Sequence, residues 1–175
     1  VHISPVPHDT SVEVRPYEDG DASSTLEVFL TAITETASAD YTSEQIQAWA
    51  DPGGRDLRRW AEAMAGRQSF VAIIGGQLAG FSDVSEDGYI DMMFVSPQFL
   101  RRGVARTLLV YGQELARKWK ASELSADVSI TARPFFESQG FAIVAEQSPV
   151  KRGVMLTNFK MRKPLDHPPE CVDAR

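Results

Sequence analysis

Between Tyr89 and Trp119 the apolar residues change their period once, and that change restricts the folds open to this chain. Tyr89 to Val95 is an apolar run of strand length with β-formers at both ends, stopped by Ser96-Pro97. From there on Val104, Leu108, Tyr111, Leu115 and Trp119 recur every three or four residues, which puts them on one face of a helix. A strand therefore enters a long helix through a basic turn, Leu100-Arg101-Arg102-Gly103-Val104-Ala105.

The first backbone N–H groups of a helix lack internal partners, and the helix dipole makes that end electropositive. A strand that passes into a helix through small residues can thus hold a phosphate. Gly103 and Ala105 let the backbone approach such an anion, while Arg101, Arg102 and Arg106 add positive charge where acidic residues are usually favoured. Read alone, the turn fits a solvated basic loop as well as it fits an anion site. The chain contains neither G-x-x-x-x-G-K-[ST] nor G-x-G-x-x-G, which excludes a P-loop and a dinucleotide fingerprint.

The flanking text adds strands and helices in a definite order. Residues 1–10 read as a loose lead-in, residues 11–164 as one domain, and residues 165–175 as a polar, Pro-rich tail. Ser11 to Tyr17 alternates like an edge strand. Leu26, Phe29, Leu30 and Ile33 form a first helical face, and Thr42-Ser43-Glu44-Gln45 is a capping box before a second helix. A further helical segment carries Leu57, Trp60, Ala61 and Met64 and stops at Gly66. Tyr41, Trp49 and Trp60 suit core packing better than a substrate pocket, because aromatics at helical spacing mostly bury themselves. Ser69 to Ile74 and Gln77 to Val84 are strands joined by the hairpin signal Gly75-Gly76. After the long helix, Glu123 to Val128 reads as a strand parallel to Tyr89–Val95, reached by a crossover. A short helix in Thr131 to Gln139, capped by Thr131 and ended by Gly140, precedes two last strands, Phe141–Glu146 and Val154–Met161.

Two segments of this text resemble the GNAT acetyltransferase superfamily. Leu100-Arg101-Arg102-Gly103-Val104-Ala105 is similar to that family's pyrophosphate motif, Q/R-x-x-G-x-G/A between a strand and a helix, with Leu100 in place of the usual Gln or Arg. Phe94-Val95-Ser96-Pro97 before it and Thr107-Leu108-Leu109 after it also match. Ala132-Arg133-Pro134-Phe135-Phe136-Glu137 followed by Gly140-Phe141 resembles a second family segment, in which the second aromatic is often a tyrosine that protonates the departing thiolate. Phe136 stands at that position and has no proton to give. The resemblance spans most of Ser11 to Pro164. It implies an α/β (α+β) fold with a mixed, mostly antiparallel sheet of six to seven strands flanked by helices. It further implies a splayed parallel pair at the cofactor cleft, acetyl-CoA as cofactor, and acetyl transfer to an amine. On this resemblance Arg101, Arg102, Gly103, Val104, Ala105, Arg106 and Thr107 form the cofactor turn.

Such a transfer needs a held thioester, a donor for the oxygen that gains charge, and a neutral nitrogen. Backbone N–H groups near Phe94 and Val95, where the strands part, are candidates for the donor. An alkyl ammonium with a pKa near ~10 must lose a proton first, so a base is expected. Asp91 is the candidate, on the strand face shared by Tyr89, Met93 and Val95, where burial would raise its pKa. An aspartate paired with an arginine, or one that attracts a cationic acceptor, accounts for it equally well. Asp83 and Glu137 are weaker candidates, and Tyr89 or Tyr111 are alternative acids.

A net charge of −6 argues against nucleic acid or an anionic membrane as partner. No apolar run approaches the roughly 20 residues that span a bilayer, and Val1 to Pro7 lacks the regions of a signal peptide, so a cytoplasmic location is expected. Cys171 has no partner for a disulfide, and His2, His8 and His167 fall in the tails, so no metal site is expected. The expected partner is a small-molecule amine, with a homodimer possible through an exposed sheet edge. A noncatalytic acyl-CoA-binding module and an enzyme acting on peptide amines are the alternative readings.

Overall fold

Residues 11–167 are described by the computed structural model, which carries two four-stranded sheets sharing one interrupted strand. The first sheet runs β1 (Glu13–Pro16), β2 (Ser69–Ile74), β3 (Gln77–Asp83) and β5 (Met93–Val95), all antiparallel. The second runs β4 (Tyr89–Ile90), β6 (Glu123–Ser129), β10 (Asn158–Pro164) and β7 (Ala142–Gln147). Here β4 lies parallel to β6, in register Tyr89 with Ser125 and Ile90 with Ala126, and the other pairs are antiparallel. Counting β4 and β5 as the two halves of one strand gives seven, within the expected number. A hairpin of β8 (Val150–Lys151) and β9 (Val154–Met155) interrupts what the sequence presents as the final strand pair.

Helices cover both faces. On one side α1 (Ala22–Thr31), α2 (Ser43–Ala50) and α3 (Leu57–Gly66) pack with Val71, Phe81 and Leu156; on the other, α4 (Val104–Lys118) packs with Phe70, Ala72 and Ile74. Adjacent residues of β2 thus go to opposite cores, which is why its text is apolar throughout. Gly112 in mid-helix lets α4 close on the sheet, since a Cβ there would stand 3.2 Å from the Phe70 ring. The capping box forms as read, with Thr42 and Gln45 each bonding the other's backbone. Trp60 is 6% exposed and its Nε1 donates to Thr25 Oγ1 at 3.0 Å, so this aromatic is core.

Two expectations shift at the C-terminal end. The short helix, α5 (Arg133–Ser138), has Ala132 rather than Thr131 at its N-cap; the Ala132 N–H donates to Ser129 Oγ at 3.1 Å, and the Thr131 hydroxyl donates to Asp40 instead. Packing also continues past residue 164. Leu165 is buried, its N–H donates to the Ser122 carbonyl at 2.9 Å, and His167 Nε2 lies 2.8 Å from the Ala121 carbonyl. The lead-in, Cys171, His2 and His8 lie outside the described residues. Among the described residues no helix is long and apolar enough to cross a membrane.

Candidate active site

The strand expected over Tyr89–Val95 is broken at Asp91 and Met92, and the break is built by a neighbour. Asp83, 4% exposed at the end of β3, accepts from the N–H of Asp91 at 2.8 Å and of Met92 at 3.2 Å through the same oxygen. Its other oxygen faces the Arg67 guanidinium at 3.4 Å. Burial holds the Asp83 carboxyl above its ordinary pKa, against the lowering effect of these donors. With two amides bound sideways, the chain leaves β6 after Ile90 and joins β3 from Met93, so β5 and β6 diverge.

The register decides which amides face that gap. Ser96 N–H donates to the Ala79 carbonyl and Asp83 N–H to the Met92 carbonyl, at 2.8 and 3.1 Å. In an antiparallel ladder the bonding residues alternate, so the Phe94 N–H also points to β3 and those of Met93 and Val95 point away, into the gap. Of the two donors read from the sequence, Val95 is therefore the one on the open edge.

A narrow apolar groove of about 190 Å³ leads into this gap. Its lining includes Leu100 and Ala105 at the turn, Val95 on the strand, and Ala32, Ile33 and Thr36 from a π-helical stretch that extends α1. Thr36 Oγ1 is buried there without a partner among the described residues. At the turn, Arg101 and Gly103 both take the left-handed conformation, with φ of 60° and 79°. Gly103 caps α4 and, among the described residues, no side chain caps the helix and no atom beyond the chain neighbours lies within 4 Å of where its Cβ would be. The first helical amide to find a carbonyl is that of Thr107, bonded to Gly103 at 3.0 Å, so those of Val104, Ala105 and Arg106 stay open. Arg101, Arg102 and Arg106 are exposed, with Arg102 resting 5.4 Å over the Phe99 ring. The Thr107 hydroxyl donates back to the Gly103 carbonyl at 2.8 Å, so it serves the helix rather than the open end.

On the far side the gap opens into a cleft of about 580 Å³. The two cavities share Trp49, Met93, Phe94, Ser129, Ala132 and Phe136, so they meet where β5 and β6 part. Asp91 lies on the cleft wall, but its side chain is 44% exposed and ion-paired with Arg67. Burial is thus not what acts on Asp91; Asp83 is the buried carboxylate, and it is spent on the backbone. Tyr89 donates to Asp127 at 3.0 Å, and burial together with that bond pushes its pKa up to about 12. Tyr111 packs on Phe70, ring centroids 4.7 Å apart, and lines neither cavity. Glu137 pairs with Arg133, also outside both linings. Tyr41 and Trp49 do line the cleft, against the expectation of core packing alone; the Tyr41 hydroxyl donates to the Thr157 carbonyl and accepts from the Ile130 N–H.

Sequence reading missed Arg67, Ser129, Arg55, Lys151 and Arg152. Arg67 stands just before β2 and carries no motif. Ser129 offers the one hydroxyl common to both cavity linings. The last three come from a loop after α2 and from the unforeseen hairpin, and only the tertiary fold gathers them.

An interrupted strand, an uncapped glycine-led helix start and a groove joining it to a polar cleft define the architecture of an acetyltransferase. The comparisons agree. Residues 37–163 match the model of the acetyltransferase (GNAT) domain. The uncharacterized N-acetyltransferase YafP of Escherichia coli (strain K12) is 44% identical over 157 residues, covering 90% of this chain and 99% of that protein. The GCN5-related N-acetyltransferase structure from Rhodopseudomonas palustris superposes with a TM-score of 0.84 at 29% identity, over 94% of this chain and 100% of that one. The structure of yncA from Salmonella typhimurium, a putative acetyltransferase solved with its cofactor acetyl-CoA, has the same fold, with a TM-score of 0.65 at 21% identity over 92% and 99% of the two chains. This chain belongs to the GNAT acetyltransferase family.

Proposed function

We propose that this protein transfers the acetyl group of acetyl-CoA to a primary amine of a small molecule, by direct attack of the nitrogen on the thioester. The observation that carries the reading is the meeting of the two cavities at Phe94, Ser129 and Phe136, which joins a helix-start anion site to an acceptor cleft. The residues fit the cofactor. Open amides at Val104, Ala105 and Arg106, with Arg101 and Arg102 beside them, suit a diphosphate, and the groove with its unpartnered Thr36 hydroxyl suits an arm of alternating methylene and amide groups.

When bound, acetyl-CoA supplies an activated acetyl carbon and a thiolate leaving group. Val95 N–H donates to the acetyl oxygen as the C–N bond forms and that oxygen gains charge. Asp91, beside its ion pair with Arg67, draws the ammonium to the cleft and takes its proton through water. The sulfur would leave as a thiolate stabilised by a hydrogen bond from the Ser129 hydroxyl in the same lining, and would take its proton from water, since Phe136 has none to give. A small acceptor is favoured because the β8–β9 hairpin is strapped over the cleft. Arg152 donates to the Ala48 carbonyl at 2.8 Å and Gln45 to the Met155 carbonyl at 3.0 Å.

Thiol release from acetyl-CoA across an amine panel tests the reading. Calorimetric CoA binding without any amine-dependent release would leave a noncatalytic binding module, and release with peptides alone would move the acceptor to protein. Gly103→Val, which forces a branched residue to φ of 79° beside the open amides, is expected to weaken CoA binding by about tenfold in calorimetry. Asp91→Asn is expected to lower kcat/KM by about tenfold at pH 7 and by less than about threefold at pH 9.5, where more of the amine is already neutral. Equal losses at both pH values would leave Asp91 as a positioning charge only.

A further inference from the structure

We infer that the acceptor carries a carboxylate a few bonds from its amine, held by Arg55 and Lys151 at the cationic end of the cleft; this rests on the acetyl-transfer reading above.

The cleft is electrically lopsided. Four cations line it: Arg55, Arg67, Lys151 and Arg152. Arg67 is matched by Asp83 and Asp91, and Arg152 by Asp51 at 2.8 Å. Arg55 and Lys151 have no carboxylate within ion-pair distance among the described residues. Arg55 is also held rigidly. Its Nε and one Nη donate to the Ala50 and Trp49 carbonyls at the end of α2, both at 2.9 Å, and its guanidinium lies 4.7 Å from the centre of the Phe29 ring. The remaining Nη has no acceptor among the described residues. A half-buried guanidinium fixed at one edge and open at the other is arranged to receive an anion. Burial, and secondarily the nearby charge of Arg152, lower its pKa against the opposing effect of the Asp51 carboxylate, so a further anion there offsets the remaining cost.

The wall built by the parting strands carries carboxylates. Asp127 lies there beside Tyr89 and Gln147, and Asp91 beside Arg67. A simple alkylammonium gains nothing from the Arg55 end, whereas a zwitterion satisfies both walls at once. The spacing is short: Phe29 touches Phe94 with ring centroids 5.0 Å apart, so Arg55 stands one ring away from the strand edge where the acetyl group is taken. That reach suits an amino acid.

The test compares acid and amide forms of the same amines in thiol-release assays: glycine, phenylalanine and glutamate against their α-amides. Each acid that turns over is expected to exceed its amide by about tenfold or more in kcat/KM, the difference lying in KM. Arg55→Gln and Lys151→Glu are each expected to cut that ratio to about threefold or less, with KM for acetyl-CoA unmoved. Lys151 is on the exposed hairpin, so its variant tests the idea even where Arg55→Gln fails to fold. Amides that match the acids, a ratio that survives both substitutions, or a preference confined to phosphate-bearing amines overturns the proposal. Trp49 lines both cavities, so quenching of its emission by N-acetylphenylalanine against N-acetylphenylalaninamide gives a second reading without turnover. Binding of CoA with no preference for the acid sinks the carboxylate site and leaves acetyl transfer standing. Absence of CoA binding sinks the acetyl-transfer reading, and the acid-over-amide difference in quenching then decides the carboxylate site.

Discussion

Asp83→Ala is expected to cost about 3 kcal/mol of folding stability and to lower kcat/KM by about a hundredfold. The side chain is 4% exposed and accepts from two consecutive amides, so alanine leaves the Asp91 and Met92 N–H groups without their acceptor. It also frees Arg67 from one of its two carboxylates. The activity loss follows from geometry: those amides are what turns the strand away from β6, and a shift of the Val95 N–H by about 1 Å is enough for such a loss. Asp83→Asn separates shape from charge. It keeps a carbonyl oxygen for the amides, so its cost is expected near ~1 kcal/mol, with most activity retained. The pH dependence has a fixed sign. Because burial raises the Asp83 pKa in the folded state, its contribution is fully present below the ordinary carboxylate range and is lost as pH rises through the raised value. Wild type should therefore outperform Asp83→Asn by more at pH 4 than at pH 7 in urea melts. An alanine variant as stable and active as wild type would show that the strand parts for another reason.

The other large effect is expected at Gly88, just before β4. Gly88→Ala should destabilise by about 3 kcal/mol or more, because two penalties coincide. Its φ of 87° is open to glycine alone without strain, and a Cβ there would collide with the Glu123 carbonyl. Neither partner can yield easily, since the Gly88 carbonyl accepts from Ser125 N–H at 3.0 Å and begins the parallel pairing of β4 with β6. Gly153→Ala is the matched comparison. Its φ of 77° carries similar strain, but the space around it is empty, so about 1 kcal/mol is expected. Equal losses at the two positions in denaturant titrations would mean that backbone strain, and not the close approach, sets the cost.

What the sequence makes legible, and what it hides, follows the range of the interactions. The hairpin at Gly75-Gly76, the Thr42–Gln45 capping box and the stop at Gly140 are short-range, and all three form as read. The helix-start turn is also local, and its open amides stand where the Gly103-Val104-Ala105 text puts them. Phe136 and Phe141 meet across the glycine stop at 5.0 Å, again a local contact. The interruption of the strand is different. Tyr89–Val95 carries no glycine or proline to announce a break, and the cause is a carboxylate eight residues away from Asp91 in the chain. The same limit applies to Asp91 itself: its text sits among apolar residues, which reads as burial, yet the broken strand turns it outward to Arg67. Arg55, Lys151 and Arg152 are charged loop residues whose meaning lies wholly in their tertiary neighbours.

The two ends of the cleft differ in how deeply they are rooted. The groups that would meet the thioester itself, Val95 and Ser129, stand on the sheets, where altering a residue disturbs a core. The cationic end hangs on a two-residue-per-arm hairpin and a loop after α2. Selection can therefore rewrite the preferred nucleophile by exchanging that flap while the transfer machinery is inherited intact, which makes a graft of residues 148–157 the natural starting point for redirecting this scaffold to new amines.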